Sequence, residues 1–431
     1  MKLNNKGFAI SSILYMALIL FLVLIASLLA MMGGRKNILD KIRLVTYNRI
    51  NHIVDTSDNS IELNMSQPTL LDNMIPVVYN PAGYAQKAEG DNWYNYNQRK
   101  WANAVVVKEK GINTRDYYQT AASGITINQE DILGYFVWIP RYKYAINSAD
   151  KSIKITFEKK DATKSNGTAT DNSYLTHPAF TFDGQELDGI WVSKFLASVE
   201  YEEYLNGERL SGDSNIKILP GETVLLSSDV SSMFWASRKM EINNNIYGFD
   251  QASTLYPDGT GAIESDSNTL DTHVLKNTEW GAISLLSLSQ YGINGTIKKY
   301  DNNKNVYTGG GLNLSYLVNV NQSTTGNKYG VYDMVNTNGE LVMGYKSDSG
   351  ISYETDIYVD EIYYDKYAGA ATTGIKGDLT NNDSLTTSLV ATFPKVDNYF
   401  LRGQSSLLSY ASATGKANSN NGFRISLVIW E

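Results

Sequence analysis

The spacing of apolar positions changes along the chain, and each change predicts a different kind of element. Ile13 to Met32 is a run of twenty residues without a charge, in which Tyr15 and Ser27 are the only clearly polar members. As a helix this run spans about 30 Å, the thickness of a bilayer core, with its backbone groups satisfying one another. Behind it Ile38, Leu39, Ile42, Val45 and Ile50 recur at helical spacing and predict a stalk. Thr56 to Gln67 is mostly polar and reads as a linker. From Met74 the period shortens. Residues 75–79, 104–107, 135–140 and 189–195 are compact β-branched and aromatic runs, the signature of strands.

Two helices are predicted in the body. Ser231-Ser232 caps a run through Phe234, Trp235, Arg238 and Met240; Asn277-Thr278 caps a stronger one from Glu279 to Tyr291, stopped by Gly292. Glu279 in the first turn suits the helix dipole. Long Asn/Gly/Ser/Asp stretches at 158–174, 241–272, 298–328 and 376–386 read as binding surfaces or insertions. The pattern divides the chain into residues 1–35 (leader and transmembrane helix), 36–70 (helical stalk and linker), 71–124 (small β module and linker) and 125–431 (main domain). Such strands with few helices predict an α+β body.

Composition narrows the chemistry. Hydrophobic residues make up 42% and charged residues 19%, so the body can bury a core. There is no cysteine, which excludes disulfides, thiolate zinc sites, iron–sulfur clusters and cysteine nucleophiles. The net charge is −8, and the positive residues Lys2, Lys6, Arg35, Lys36, Lys41 and Arg43 crowd the N-terminus, so the body is more acidic than the whole. An acidic body repels phosphate backbones, and no nucleic-acid partner is expected. The charges behind residues 13–32 place the body inside by a strict positive-inside count, while the body's composition favours the outside.

Histidine is sparse: His52, His177 and His273, with no His-x-x-x-His pair. Ser211-Gly212-Asp213-Ser214 has no matching histidine and aspartate around it, and no phosphate-binding glycine loop occurs. Asp258-Gly259-Thr260-Gly261 and Asp301-Asn302-Asn303-Lys304 offer oxygen ligands to calcium, but neither has EF-hand spacing and turn chemistry explains them more simply. No other cofactor is expected, and no enzymatic activity.

Asn4-Asn5-Lys6-Gly7-Phe8 ahead of the apolar run resembles a type IV prepilin leader. The resemblance implies cleavage between Gly7 and Phe8 and pilin-like subunits as partners. Pilins usually carry Glu five positions into the mature chain; Ser12 stands there. That departure argues against polymerisation as a major pilin.

In the body, Asn277-Thr278-Glu279-Trp280, then Tyr329 to Glu340 with Tyr332-Asp333-Met334 at its centre, then Phe400-Leu401-Arg402-Gly403-Gln404-Ser405, then Gly422-Phe423-Arg424 follow one another in order. Together they resemble the formylglycine-generating-enzyme (sulfatase-modifying factor) branch of the C-type-lectin-like fold. The resemblance implies that fold with long loops, marked by Glu279, Trp280, Tyr332, Asp333, Met334, Arg402, Gly403, Phe423 and Arg424. The enzyme's oxygen and copper chemistry needs cysteines, so a fold is implied and not that activity. From the residues alone, Trp280 belongs in the core. Arg402 and Arg424 should pair with buried carboxylates or carbonyls, and Asp333 should cap a turn or join one of them.

Residues 404–421 combine small polar side chains with a tyrosine, as an adaptable binding loop does. In lectin-like proteins diversified by retroelements this region is the variable ligand face, and the stretch is similar to it. Gln404, Ser405, Ser406, Tyr410, Ser412, Thr414, Asn418 and Asn420 are the candidate ligand contacts. The whole predicts a single-pass membrane protein displaying a non-catalytic recognition domain for a surface glycan or protein. The alternative is a minor pilin-like component of a filament or secretion apparatus.

Overall fold

The computed structural model describes residues 65–147, 149–160, 174–198, 215–225, 228–242, 245–250, 252–255, 263–265, 270–300, 307–312, 314–351, 359–380, 383, 385, 393–417 and 421–430. The expected membrane run 13–32, the Gly7–Phe8 junction and most of the stalk and linker lie outside these residues. Among the described residues no helix is long and apolar enough to cross a membrane.

Strands and few helices make this an α+β protein. Its largest sheet has seven antiparallel strands, in the order Leu270–Val274, Ile425–Ile429, Gly189–Ser193, Ile132–Pro140, Asn103–Val107, Met74–Tyr79, Ala85–Lys87. Ile132–Pro140 is central because every one of its residues is apolar or small, and all are buried. Trp138 pairs in register with Trp191, and their rings lie 5.2 Å apart. A second sheet runs Asp365–Tyr367, Glu340–Lys346, Asn398–Arg402, Tyr410–Ala413, with Gly422–Phe423 added in parallel to Glu340–Leu341. The chain then leaves the second sheet at Phe423 and enters the first at Ile425. Arg424 is the joint between them.

The boundary expected at 124/125 is not a structural one. The strands of residues 71–124 are the far half of the large sheet, and one compact unit, Thr56–Glu431, contains them. The polar stretch 113–124 is no linker either. It holds the helix Arg115–Thr120, capped by Thr114, and buries Tyr118. The Asp131 carboxylate ties this stretch down by accepting from Ile112 N (2.6 Å), Asn113 N (2.9 Å) and Tyr118 Oη (2.6 Å). Local capping makes a polar segment rigid where hydropathy reads a spacer.

Both predicted helices form, with shifted starts. Val230–Arg238 is capped by Asp229, whose carboxylate accepts Ser232 N at 2.7 Å. Asn277–Leu288 begins two residues early, with Lys276 as its cap and Glu279 accepting Lys276 N at 2.8 Å. The carboxylate of Asp365 takes Thr278 N (2.6 Å), the role given to a local side chain by the sequence. This helix is buried on nearly every side. Gly281 allows it: a Cβ there would lie 1.8 Å from the backbone oxygen of Gly377.

Candidate functional site

The landmark residues converge at the junction of the two sheets. Arg424 is fully buried, and so is its partner Glu340. The guanidinium donates to Glu340 through Nε (3.2 Å) and Nη2 (2.9 Å), to Ser193 O through Nη1 (2.6 Å) and to Tyr332 O through Nη2 (2.7 Å). Burial raises the Glu340 carboxyl, and Arg424 opposes that. One arginine thus joins the first sheet, the second sheet and the Tyr332 turn.

Asp333 occupies the left-handed region (φ 66°) and its carboxylate accepts Gly309 N (2.8 Å) and Gly310 N (3.0 Å). Burial pushes it up to about 6, against those N–H groups and Arg424. The turn-capping role read from the sequence is therefore the one it has. Tyr332 donates to Tyr316 O (2.6 Å), and Met334 is fully buried. Gly403 (φ 78°) is pressed against this turn; a Cβ there would meet Met334 O at 2.2 Å and the Trp280 ring at 2.9 Å. Trp280 is core, as expected, with its indole N–H on Leu407 O at 3.1 Å. Phe423 is fully buried beside Arg424.

Arg402 meets an expected carbonyl, but only loosely. It is fully buried, yet its hydrogen bond from Nη2 to Leu407 O is long, at 3.5 Å. Among the described residues Nε and Nη1 have no hydrogen-bond partner. The guanidinium instead stacks between Trp280 (5.8 Å) and Tyr410 (5.4 Å). Burial brings it down to about 10, with Asp378 the largest opposing charge.

A second charged group was missed by sequence reading. His273 is fully buried; its Nδ1 faces Asp271 Oδ1 (2.7 Å) and its Nε2 faces Glu279 Oε1 (3.2 Å). Burial alone would lower the imidazole, but Glu279 and Asp271 outweigh it and raise it to about 9, so it is an imidazolium near neutrality. Asp271 also takes Arg238 and Tyr363 Oη, and Glu279 takes Ser426 Oγ at 3.0 Å. With both nitrogens committed, His273 clamps strand to helix and has none left for a substrate. The signal was present: Asp271 and His273 are two apart on a strand and share one face. His177 is also buried, brought down to about 3 by burial, with Nε2 on Gly377 O (3.0 Å) and Nδ1 accepting Ala179 N (3.1 Å).

The candidate ligand loop divides in two. Tyr410 is 2% exposed and lies in a strand paired with Asn398–Arg402, under Arg402 and beside Phe393 and Phe400. It is core, not a surface contact, whereas Ser412, two residues on, is exposed. Ser405, Ser412 and Thr414 are exposed, and Gln404 and Ser406 are half-buried. Asn418 and Asn420, and the calcium candidates 258–261 and 301–304, lie outside the described residues. Among those described, no group of acidic and histidine side chains has the arrangement of a metal site.

No family model matches the chain, and no curated protein matches it significantly.

Proposed function

We propose that the protein is a membrane-anchored surface protein whose body is a non-catalytic, lectin-like recognition domain for a glycan or protein ligand. The observation that carries this reading is the ordered packing of the four landmarks. Glu279-Trp280, Tyr332-Asp333-Met334, Arg402-Gly403 and Phe423-Arg424 come together where the two sheets meet. That arrangement supports assignment to the formylglycine-generating-enzyme branch of the C-type-lectin-like fold. The missing cysteines and the landmark carboxylates spent on internal contacts favour binding over catalysis. Residues 404–417, carried on the second sheet with Ser405, Ser412 and Thr414 outward, are the proposed ligand face. Residues 13–32 are the proposed membrane span, with the body outside the cell.

The test is an array of surface glycans and proteins probed with the full chain in detergent. Saturable binding to one class is expected. No binding, together with co-purification of filament subunits, would replace the reading with the minor-pilin one. That second reading is favoured by Lys6-Gly7-Phe8. Mass spectrometry of the mature N-terminus tests it: a chain starting at Phe8 supports it, and an intact Met1 or a cut elsewhere removes it.

A further inference from the structure

Within an acidic protein, three lysines gather around a tyrosine pair. Lys194 is fully buried and donates to Asn103 Oδ1 (2.7 Å), Lys328 O (2.6 Å) and Gly330 O (3.1 Å). Its ammonium also lies 5.0 Å from the Tyr79 ring and 5.6 Å from Tyr332. All three of its donors are used, so it fixes the segment 328–330 and the Asn103 side chain in place. Asn103 is itself held by Tyr79 Oη (2.7 Å) and donates to Trp101 O and Tyr329 O, each at 2.9 Å.

On this rigid base stand Lys100 and Lys328, both half-buried. Lys100 Nζ lies over the Tyr329 ring at 5.5 Å and donates to Asn92 O. Lys328 Nζ lies 6.0 Å from the Tyr79 ring and reaches the Tyr79 and Asn80 carbonyls only at 3.4 Å. The two rings are 5.4 Å apart, so both ammoniums border one aromatic step. Arg99, exposed, precedes Lys100, and its carbonyl accepts Asn327 Nδ2 at 3.0 Å.

Among the described residues no carboxylate balances these charges. The charged group acting on Lys194 is Lys328, and the one acting on Lys328 is Lys100; burial lowers all three and brings Lys328 to about 8. Half-buried like charges without a counter-ion raise the energy of the empty site, and an anion from solvent relieves it. A lysine kept only for packing would be paired or replaced by an apolar residue of its volume.

We propose that Lys100 and Lys328, flanking the Tyr79–Tyr329 step, bind an anionic group, a carboxylate, sulfate or phosphate, of a ligand from solvent. None of these residues belongs to the 404–417 loop, so this site stands apart from the ligand face proposed above. The shared chemistry has two sources, an acidic glycan or a free inorganic anion.

Calorimetric titration of the full chain in detergent tests it, with inorganic phosphate, inorganic sulfate, a uronic-acid oligosaccharide and a neutral oligosaccharide of equal length as probes. Saturable binding of an anionic probe is expected, weakened by salt and absent for the neutral one. Tighter binding of the uronic oligosaccharide assigns the acidic glycan; equal or tighter binding of phosphate or sulfate assigns the free anion. The Lys100→Met/Lys328→Met variant should bind at least about tenfold more weakly. The charge-keeping Lys100→Arg/Lys328→Arg variant should retain binding and guards against a folding failure in the first. No saturable anion binding, or unchanged affinity in a folded Met variant, overturns the proposal.

Discussion

Replacing Glu340 with Ala should strip Arg424 of its counter-charge at the joint between the sheets. Both side chains are fully buried, so bulk solvent does not reach the guanidinium to replace the carboxylate's charge. Ser193 O and Tyr332 O would still accept from Nη1 and Nη2, but carbonyls do not neutralise a guanidinium. Removing one partner of a buried pair costs about 3–5 kcal/mol. Asp333, whose carboxyl already feels Arg424, remains as a weaker counter-charge and points to the lower end of that range. A loss of about 3 kcal/mol is a large share of a typical domain's stability of about 5–15 kcal/mol. The assay is urea unfolding of the full chain in detergent followed by tryptophan fluorescence, with the midpoint converted through an unchanged m-value. A double variant, Glu340→Leu with Arg424→Met, should lose much less than the two single losses added, because apolar packing replaces an orphaned charge. A Glu340→Ala loss below about 1 kcal/mol, or additive singles, would refute the reasoning.

His273→Gln should lower stability at neutral pH, by an amount that shrinks as pH rises. The folded imidazole titrates at about 9 against an ordinary value of 6.5, so its contribution is complete below 6.5 and is lost as pH passes through 9. Urea midpoints measured across that window check it, and a constant difference contradicts the ion clamp. Gly281→Ala should lower the thermal midpoint. In an exposed helix interior that change gains about 1 kcal/mol. Here the new Cβ would fall 1.8 Å from Gly377 O, and a raised midpoint would show the approach to be wrong.

Elements whose character is local were readable. The strands at 135–140 and 189–195 announce themselves by β-branched and aromatic runs, and Asp333, Trp280 and Arg424 have the structural roles their residue types suggest in apolar context. What failed depends on distant partners. Asn277 and Thr278 look like a cap until Asp365, far along the chain, supplies the carboxylate. Residues 113–124 look like a spacer because Asp131, which binds them, lies beyond the stretch. Tyr410 looks exposed because its sequence neighbours are small and polar, and the rings of Phe393 and Phe400 that cover it come from elsewhere in the chain. Arg402 was expected to pair with a buried carboxylate or carbonyl; it reaches the Leu407 carbonyl only at 3.5 Å and lies mainly against two aromatic faces. The Lys100–Lys194–Lys328 group joins residues that no sequence window brings together.

The most direct test of the account compares ligand capture by the full chain with that of a Ser405→Trp/Ser412→Trp/Thr414→Trp variant. These side chains point outward, so bulky rings there should block the proposed face and leave the core unchanged. The account predicts array binding in the parent chain, its loss in the variant, and coincident urea unfolding curves. Undiminished binding by the folded variant would contradict it.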